Sequence, residues 1–181
     1  MFALTVLAVG LSLRFAAKSL IPAPVPALMP TVNLLTVSEA KEIAPLYRST
    51  SLVFIKSLNV SLLSEAALRV KALGENSIYL NYVEESPTND FPDEVEPSIG
   101  SVELLAQAQK IMEDRGITAL PIWQIGDNPG RLIAKAAAEL GVAAVIIGAT
   151  KRSALINLLR GDVLRTLTRH LPRECRLIIN G

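Results

Sequence analysis

Val142-Ala143-Ala144-Val145-Ile146-Ile147-Gly148 is the stretch of the sequence that decides the fold. A continuous apolar run of this length, ended by a glycine, is typical of a strand buried on both faces of a parallel sheet. Leu52–Ile55 is a shorter run of the same kind. Because both runs alternate with amphipathic segments, the sequence predicts an α/β domain with helices packed against a central sheet.

Five predicted strands and four predicted helices alternate around these two runs. The strands cover Leu52–Ile55, Ser77–Val83, Ile117–Ile125, Val142–Ile147 and Cys175–Ile179. The helices cover Ser61–Leu73, Val102–Arg115, the stretch from Asn128-Pro129 to Gly141, and a last stretch from near Gly161 to Pro172. Gly74, Gly116 and Gly141 each follow a helix as a C-terminal cap. This alternation indicates a parallel sheet with right-handed crossovers and helices on both faces.

Pro121 lies inside the third predicted strand and has no backbone donor for a hydrogen-bond ladder. We therefore expect that strand at an edge, in an open five-stranded parallel sheet of order 3-2-1-4-5. In that order the connections after strands one and four leave on opposite faces, which is where such sheets bind ligands. The predicted site lies between Lys56–Asn59, after strand one, and Gly148–Lys151, after strand four.

The composition excludes several kinds of site. The chain has 181 residues, half of them apolar, and a net charge of +1, so neither a nucleic acid nor an acidic partner is indicated. It has one cysteine, Cys175, and one histidine, His170, which excludes a disulfide framework and a His/Cys metal cluster. We expect Cys175 to be a buried apolar residue, and His170 to lie against the C-terminal end of a helix.

Charged residues are concentrated in two regions. An acidic stretch after the second strand contains no base and is interrupted by prolines, which favours a solvated loop over a metal site; its acids are Glu84, Glu85, Asp90, Asp93, Glu94 and Glu96. The last third of the chain is basic, with Arg165 and Arg169 on one helix face. That face is interpreted as solvated, with anionic lipid headgroups or a nucleotide as alternative contacts.

Residues 1–20 form an apolar segment. Met1–Leu13 carries no charge, and Arg14 and Lys18 follow it. As a helix, Met1–Leu13 spans roughly 20 Å, less than the hydrocarbon core of about 30 Å. A signal peptide, a soluble helix and the end of a membrane-spanning helix remain open. The basic residues after the run favour the last, which would place the rest of the chain in the cytoplasm.

Residues 21–51 are interpreted as a connector. The connector is proline-rich from Ile21 to Pro26, and Ser38–Glu42 is compatible with one or two helical turns. The domain itself is predicted to cover residues 52–181.

Several segments resemble one known family. Gly126–Gly181 is similar to the C-terminal half of universal stress protein domains in its Asn128-Pro129 helix start, its Val142–Gly148 strand, and the glycines Gly148 and Gly161. Ser61–Leu68 resembles the first helix of that family more weakly. The likeness covers residues 52–181 and implies a fold of the HUP, adenine nucleotide alpha hydrolase-like type.

The resemblance also implies a nucleotide site with ATP or AMP as the ligand. In the family, three glycines and a following Ser or Thr bind the ATP phosphates, and Gly148 and Gly161 match the first and third glycines. Lys151 replaces the second glycine, Asp162 replaces the hydroxyl residue, and Asn59 replaces an aspartate that contacts nucleotide. The implied site residues are Asn59, Val83, Gly148, Ala149, Thr150, Lys151, Arg152, Gly161, Asp162 and Val163. Asp162 would repel a phosphate by about 4 kcal/mol at 4 Å and an effective dielectric constant of about 20, so ATP binding remains open.

A finer resemblance suggests the context of the domain. Gly-Ala-Thr-Lys-Arg-Ser at 148–153 and Leu-Leu-Arg-Gly-Asp-Val at 158–163 resemble stress-protein domains fused behind amino acid permeases of the APC superfamily. The favoured hypothesis is a non-catalytic, cytosolic regulatory domain of a membrane transporter that senses an adenine nucleotide or another anion, and that forms a homodimer through its last strand. The alternative is a soluble ATP-binding stress protein with slow hydrolysis. A response-regulator receiver is disfavoured because Leu52–Asn59 contains no acid.

Overall fold

The computed structural model describes residues 32–86, 95–148 and 162–180. Over these residues, strands and helices alternate after a first helix. The strands are β1 (Ser51–Phe54), β2 (Ser77–Glu85), β3 (Thr118–Gly126), β4 (Ala144–Gly148) and β5 (Arg176–Asn180). The helices are α1 (Val37–Tyr47), α2 (Val60–Ala72), α3 (Ile99–Glu113), α4 (Pro129–Leu140) and α5 (Asp162–His170).

The five strands form one parallel sheet in the order β3-β2-β1-β4-β5. Leu52 at the centre of the sheet is paired with Tyr79 on one side and with Val145 on the other. The predicted fold class and strand order are therefore confirmed. β1 and β4 are paired neighbours although they are far apart in sequence, which makes the region beyond their carboxyl ends the switch point where such sheets bind ligands.

Two helical layers cover the two faces of the sheet. Leu52 and Phe54 of β1 belong to the cluster formed with α1, α4 and α5. Val53 and Ile55 belong to the cluster formed with α2 and α3. This alternation follows from the two-residue repeat of a strand, and it explains why Leu52–Ile55 is apolar at every position rather than at every second one.

Pro121 explains why β3 is the edge strand. The carbonyl of Pro121 accepts a hydrogen bond from Leu35 N–H at 2.9 Å, on the side of β3 away from β2. A strand residue directs its nitrogen and its carbonyl oxygen to the same side, so the missing donor of Pro121 also faces outward. The ladder between β3 and β2 consequently loses no hydrogen bond at Pro121, which lies opposite Leu80 in regular register.

The second half of the predicted connector is part of the packed domain. α1 has a capping box at its start, in which Thr36 and Glu39 bond to each other's backbone N–H groups. Its Ala40 is fully buried beside α4 and β3. The compact unit therefore includes Leu34, which packs against the core, and Leu35, which bridges to Ile122 at the sheet edge.

Two acids predicted to lie in the solvated loop belong instead to β2. Glu84 and Glu85 are the last residues of that strand, which is two residues longer than expected. α3 in turn begins earlier than expected, at Ile99, because the side chain of Ser98 caps it by accepting from Ser101 N–H at 3.3 Å. The remaining acids of the predicted loop, apart from Glu96, lie outside the described residues.

Candidate functional site

A crevice opens at the carboxyl ends of β1 and β4. Phe54, the last residue of β1, lies opposite Ile147 of β4. From there the chain runs from β1 into α2 on one face of the sheet, whereas α5, the described helix that follows β4, packs on the other face. We call the gap between these strand ends, bounded by Asn59 and Gly148, the crevice.

Asn59 and Gly148, which were predicted to share a site, are brought together. A Cβ placed on Gly148 would lie 3.5 Å from the side-chain nitrogen Nδ2 of Asn59. Asn59 is the N-cap of α2, and its Oδ1 accepts a hydrogen bond from Leu62 N–H at 3.1 Å. The first turn of α2 therefore lies directly against the end of β4.

The capping bond fixes which half of the Asn59 amide faces Gly148. Because Oδ1 is bound to Leu62 N–H, Nδ2 is the group on the side of Gly148, and Nδ2 can only donate. Asn59 therefore offers a ligand a neutral donor, where a carboxylate at this position would offer an acceptor and a negative charge.

Gly148 is constrained by packing as well as by any ligand. A Cβ at this position would lie 3.0 Å from Cδ2 of Leu62, closer than an ordinary van der Waals contact. Leu62 is buried in the core beneath α2. The absence of a side chain at 148 thus allows α2 to approach the strand end and keeps the crevice narrow.

Val83 does not present its side chain to the crevice. It is 5% exposed and packs in the cluster of α1, α4 and α5, two residues before the end of β2. Only its backbone is available to a ligand. The interpretation of Val83 as a site residue therefore does not extend to its side chain.

The remaining predicted site residues follow β4. Ala149, Thr150, Lys151, Arg152 and Gly161 lie outside the described residues. Asp162 is the first residue of α5. Val163 is half-buried, and its backbone carbonyl packs against α4, where a Cβ on Gly130 would lie only 2.3 Å from the Val163 oxygen. The close contact of α4 and α5 at Gly130 thus sets the position of the first turn of α5.

Lys56 and Glu85 form an ion pair at the mouth of the crevice. Lys56 Nζ lies 2.9 Å from Glu85 Oε1, with the two side chains 61% and 56% exposed. The pair joins the segment after β1 to the end of β2. Lys56 was part of the predicted strand-end segment, but its partner was not predicted.

A second acid at this end of the sheet, Glu84, is held by three donors. Its Oε2 accepts from Ser101 Oγ–H at 2.7 Å, from Trp123 Nε1–H at 3.0 Å and from Ser98 N–H at 3.3 Å. Partial burial raises the pKa of the Glu84 carboxyl, but these hydrogen bonds lower it by more, so the net pKa lies below the ordinary 4.5. Glu84 on β2 is therefore favoured as the ionised carboxylate, and its hydrogen bonds connect β2 to Ser98 and Ser101 at the start of α3 and to Trp123 on β3.

The other reactive residues lie away from the crevice. His170 is in the last turn of α5, and its Nδ1 donates to the Thr166 carbonyl at 2.8 Å. Cys175 is buried just before β5, as expected, and burial raises the pKa of its thiol. Across the described ranges, no group of three or more His, Cys, Asp and Glu side chains could hold a metal ion.

The chain belongs to the universal stress protein family, whose model matches residues 59–175. This range contains Asn59, the crevice and β4, and it ends just before β5. Comparison with curated proteins gives no significant match.

Solved structures share the fold. A universal stress protein from Archaeoglobus fulgidus is 21% identical with a TM-score of 0.57, covering 72% of this chain and 97% of that one. The structure of an Archaeoglobus fulgidus universal stress protein in complex with dAMP is 20% identical with a TM-score of 0.53, covering 72% and 96%. A universal stress protein in complex with cAMP is 14% identical with a TM-score of 0.52, covering 75% and 98%.

No helix within residues 32–86, 95–148 and 162–180 is both long enough and apolar enough to cross a membrane.

Proposed function

We propose that the domain binds an adenine nucleotide in the crevice and acts as a non-catalytic sensor. The observation that carries this proposal is the contact between Asn59 and Gly148 at the sheet's switch point, with the Nδ2 donor of Asn59 directed there. Two proteins of the same fold are described as complexes with dAMP and with cAMP, which supports an adenine nucleotide as the first ligand class to test. Another anion of similar size is the broader alternative.

Binding without turnover is supported by the chemistry of the described crevice residues. Asn59 supplies a neutral amide and Gly148 has no side chain, so neither can act as a general acid or base. The single histidine lies in the last turn of α5, away from the crevice. A soluble, slowly ATP-hydrolysing stress protein is the competing function. A steady-state phosphate-release assay that shows ATP consumption above the buffer blank would favour it.

The binding proposal is tested with two matched asparagine caps. Asn59 and Asn128 both cap helices, with φ of −127° and −129°, and each accepts from the N–H three residues on. Aspartate caps a helix as well as asparagine does, so Asn59→Asp and Asn128→Asp should both leave stability within about 0.5 kcal/mol. Only Asn59→Asp replaces the donor in the crevice by a negative charge.

Isothermal titration calorimetry with AMP, ADP and ATP should therefore show binding by the wild-type chain and by Asn128→Asp. We expect the affinity of Asn59→Asp to differ at least tenfold from that of Asn128→Asp, since the group that faces the ligand changes from a neutral donor to a charged acceptor. No heat from any nucleotide at millimolar concentration would contradict nucleotide sensing. Equal affinities of the two variants would place the ligand away from Asn59.

The domain is further proposed to regulate a membrane transporter from the cytoplasmic side. This rests on the uncharged run Met1–Leu13, the basic Arg14 and Lys18 after it, and the likeness of 148–153 and 158–163 to permease-fused domains. Co-purification of the chain with a transporter from membranes, and a change of uptake when Asn59→Asp replaces the wild type, are the expected results. Recovery of the chain only in the soluble fraction would contradict it.

A homodimer paired through β5 is proposed as the assembly. Arg176 N–H donates to the carbonyl of Ala143, the residue just before β4, so Leu177 and Ile179 direct their backbone groups to the outer side of β5. Ile179 is 47% exposed. Light scattering should give twice the chain mass, and Ile179→Pro, which removes one outward donor, should give a monomer. An unchanged dimer in Ile179→Pro would place the interface elsewhere.

A further inference from the structure

Lys56 stands at the crevice. Phe54 is opposite Ile147 in the register of β1 and β4, so continuing that register places Ile55 opposite Gly148 and Lys56 one position beyond it. Lys56 also precedes the N-cap Asn59 by three residues. A lysine stem reaches about 6 Å from its α-carbon, and hence across one strand spacing of about 4.8 Å. The Lys56 ammonium group is directed toward β2, where it pairs with Glu85, and a turn of the side chain toward β4 would bring it within reach of an anion bound between Asn59 and Gly148.

Lys56 supplies the positive charge in this part of the described chain. Among the described residues that directly follow β1 and β2, which are 55–59 and Ser86, it is the cation. Its partner Glu85 is an exposed acid at the end of β2, whereas the neighbouring Glu84 is already bonded to Ser98, Ser101 and Trp123. Glu85 is thus the acid that competes for Lys56, and Glu84 is not.

The Lys56–Glu85 pair is easily exchanged for another partner. Both side chains are more than half exposed, and water screens such pairs so well that they contribute little to stability. Phosphate is a better partner than a single carboxylate, because it offers more charge and more acceptor oxygens to an ammonium group. Transfer of Lys56 from Glu85 to a phosphate would therefore be favourable.

We propose that Lys56 is an anion-binding side chain of the crevice, and that Glu85 is a built-in competitor that lowers the affinity for the ligand's phosphate. The proposal rests on the proposed function, because it names a further residue of the same site. It also adds a regulatory element. Any change that draws Glu85 away from Lys56 would raise the affinity for the nucleotide without a new contact to the ligand.

The test uses AMP, with adenosine as the same ligand without phosphate. Calorimetric titrations compare the wild type with Lys56→Gln, Glu85→Gln and the double variant. We expect Lys56→Gln to weaken AMP binding about tenfold and Glu85→Gln to strengthen it roughly threefold. The double variant should bind like Lys56→Gln, because Glu85 acts only through Lys56. Adenosine binding should be the same in all four proteins.

A matched ion pair elsewhere on the surface controls for general charge effects. Lys110 Nζ lies 3.4 Å from Asp114 Oδ1 at the C-terminal end of α3, with side chains 76% and 61% exposed. Lys110→Gln and Asp114→Asn change the net charge in the same way, and we expect no change in AMP affinity beyond a factor of about 1.5. Circular dichroism verifies that every variant is folded.

The outcomes distinguish a failure of the role proposed for Lys56 from a failure of nucleotide binding itself. AMP binding that is equal in the wild type, Lys56→Gln and Glu85→Gln would overturn the role of Lys56 and leave nucleotide binding standing. Equal changes in the Lys110 and Asp114 variants would also overturn it, since net charge alone would then explain the effect. If neither AMP nor adenosine binds to the wild type or to Glu85→Gln, the proposed function and the role of Lys56 both fail.

Discussion

Asn59 and Gly148 lie against each other across the gap between β1 and β4: a Cβ on Gly148 would stand 3.5 Å from Asn59 Nδ2 and 3.0 Å from Leu62 Cδ2. One residue caps a helix on one face of the sheet, and the other ends a strand from which the chain continues to the opposite face. Their contact ties the start of α2 to β4. Because of this contact, one methyl group added at position 148 would change the shape of the crevice.

Gly148→Ala should destabilise the domain by about 1 kcal/mol, because the new methyl group requires Leu62 to shift its flexible end. Gly148→Val should cost more and should also displace the Asn59 amide. Gly100→Ala is the control: a Cβ at Gly100 meets nothing within 4 Å, and alanine in a helix is expected to gain up to about 1 kcal/mol. Urea unfolding measures all three, and equal effects at 148 and 100 would contradict the packing argument.

Gly130→Ala should be the most damaging glycine substitution in the described chain. Its Cβ would lie 2.3 Å from the carbonyl oxygen of Val163 and 3.1 Å from Leu167 N, and backbone atoms cannot rotate away as a leucine methyl can. We expect a loss of about 2–3 kcal/mol, together with loosening of α5. Hydrogen exchange of the α5 amides tests this. Unchanged protection in α5 would show that the two helices separate without cost.

Glu84 should make stability depend on acid pH. Its folded-state pKa lies below the ordinary 4.5, so the stability that it contributes is fully present above that value and is lost as the pH falls through the lowered pKa. Glu84→Gln should remove this contribution: the variant should be less stable than the wild type at pH 7, and the difference should shrink below about pH 4. Urea unfolding at both pH values gives the comparison.

The indole of Trp123 provides a second readout for Glu84. Trp123 is the single tryptophan of the chain and donates to Glu84, so its emission should change on acidification of the folded wild type and not of Glu84→Gln. Glu113→Gln, an exposed acid on α3, serves as the control. An acid-induced change that persists in Glu84→Gln would assign the effect to another group.

Ala40→Glu should release α1 from the sheet. Ala40 is fully buried between α1, α4 and β3, and a buried unpaired carboxylate costs several kcal/mol, more than the docking of one short helix supplies. Leu46→Glu, on the same helix at 79% exposure, should be neutral. Hydrogen exchange should show loss of protection in α1 for Ala40→Glu alone. Retained protection would mean that the helix can turn its buried side outward.

The parts of the fold set by local chemistry could be predicted from the sequence. The apolar run at Val142–Ile147 and the caps at Asn128 and Gly141 act within a few residues and predicted a strand and a helix. The missing donor of Pro121 predicted the edge strand and with it the strand order. The meeting of Asn59 and Gly148 followed from that order. α1 was underestimated although Val37, Ala40, Ala44 and Tyr47 follow a helical spacing and pack in or against the core. Pro45 lies inside this helix, and a proline in the sequence ordinarily predicts the end of a helix.

The missed contacts join residues that are distant in sequence. Trp123 and Glu84 are 39 positions apart, and Lys56 and Glu85 are 29 apart. Neither pair leaves a pattern in the nearby sequence. The sequence around an acid at a strand end is the same whether its side chain faces water or an indole N–H group. The alternation of β2 is the one signal that could have extended the strand to Glu85, because Val83 is buried whereas Tyr82 and Glu84 are half-buried.

The outward-facing nitrogen of Pro121 has a consequence for assembly. Exposed strand edges invite further strands, and proteins block such growth with prolines and short covering segments. The edge strand β3 has both features: Pro121 lacks an outward donor, and the segment at Leu35 covers the strand beside it. Two copies joined at β5 would form a ten-stranded sheet that ends in β3 on either side. Pro121 and the Leu35 bridge would then oppose further pairing at both outer margins, which favours a pair of chains over a fibre.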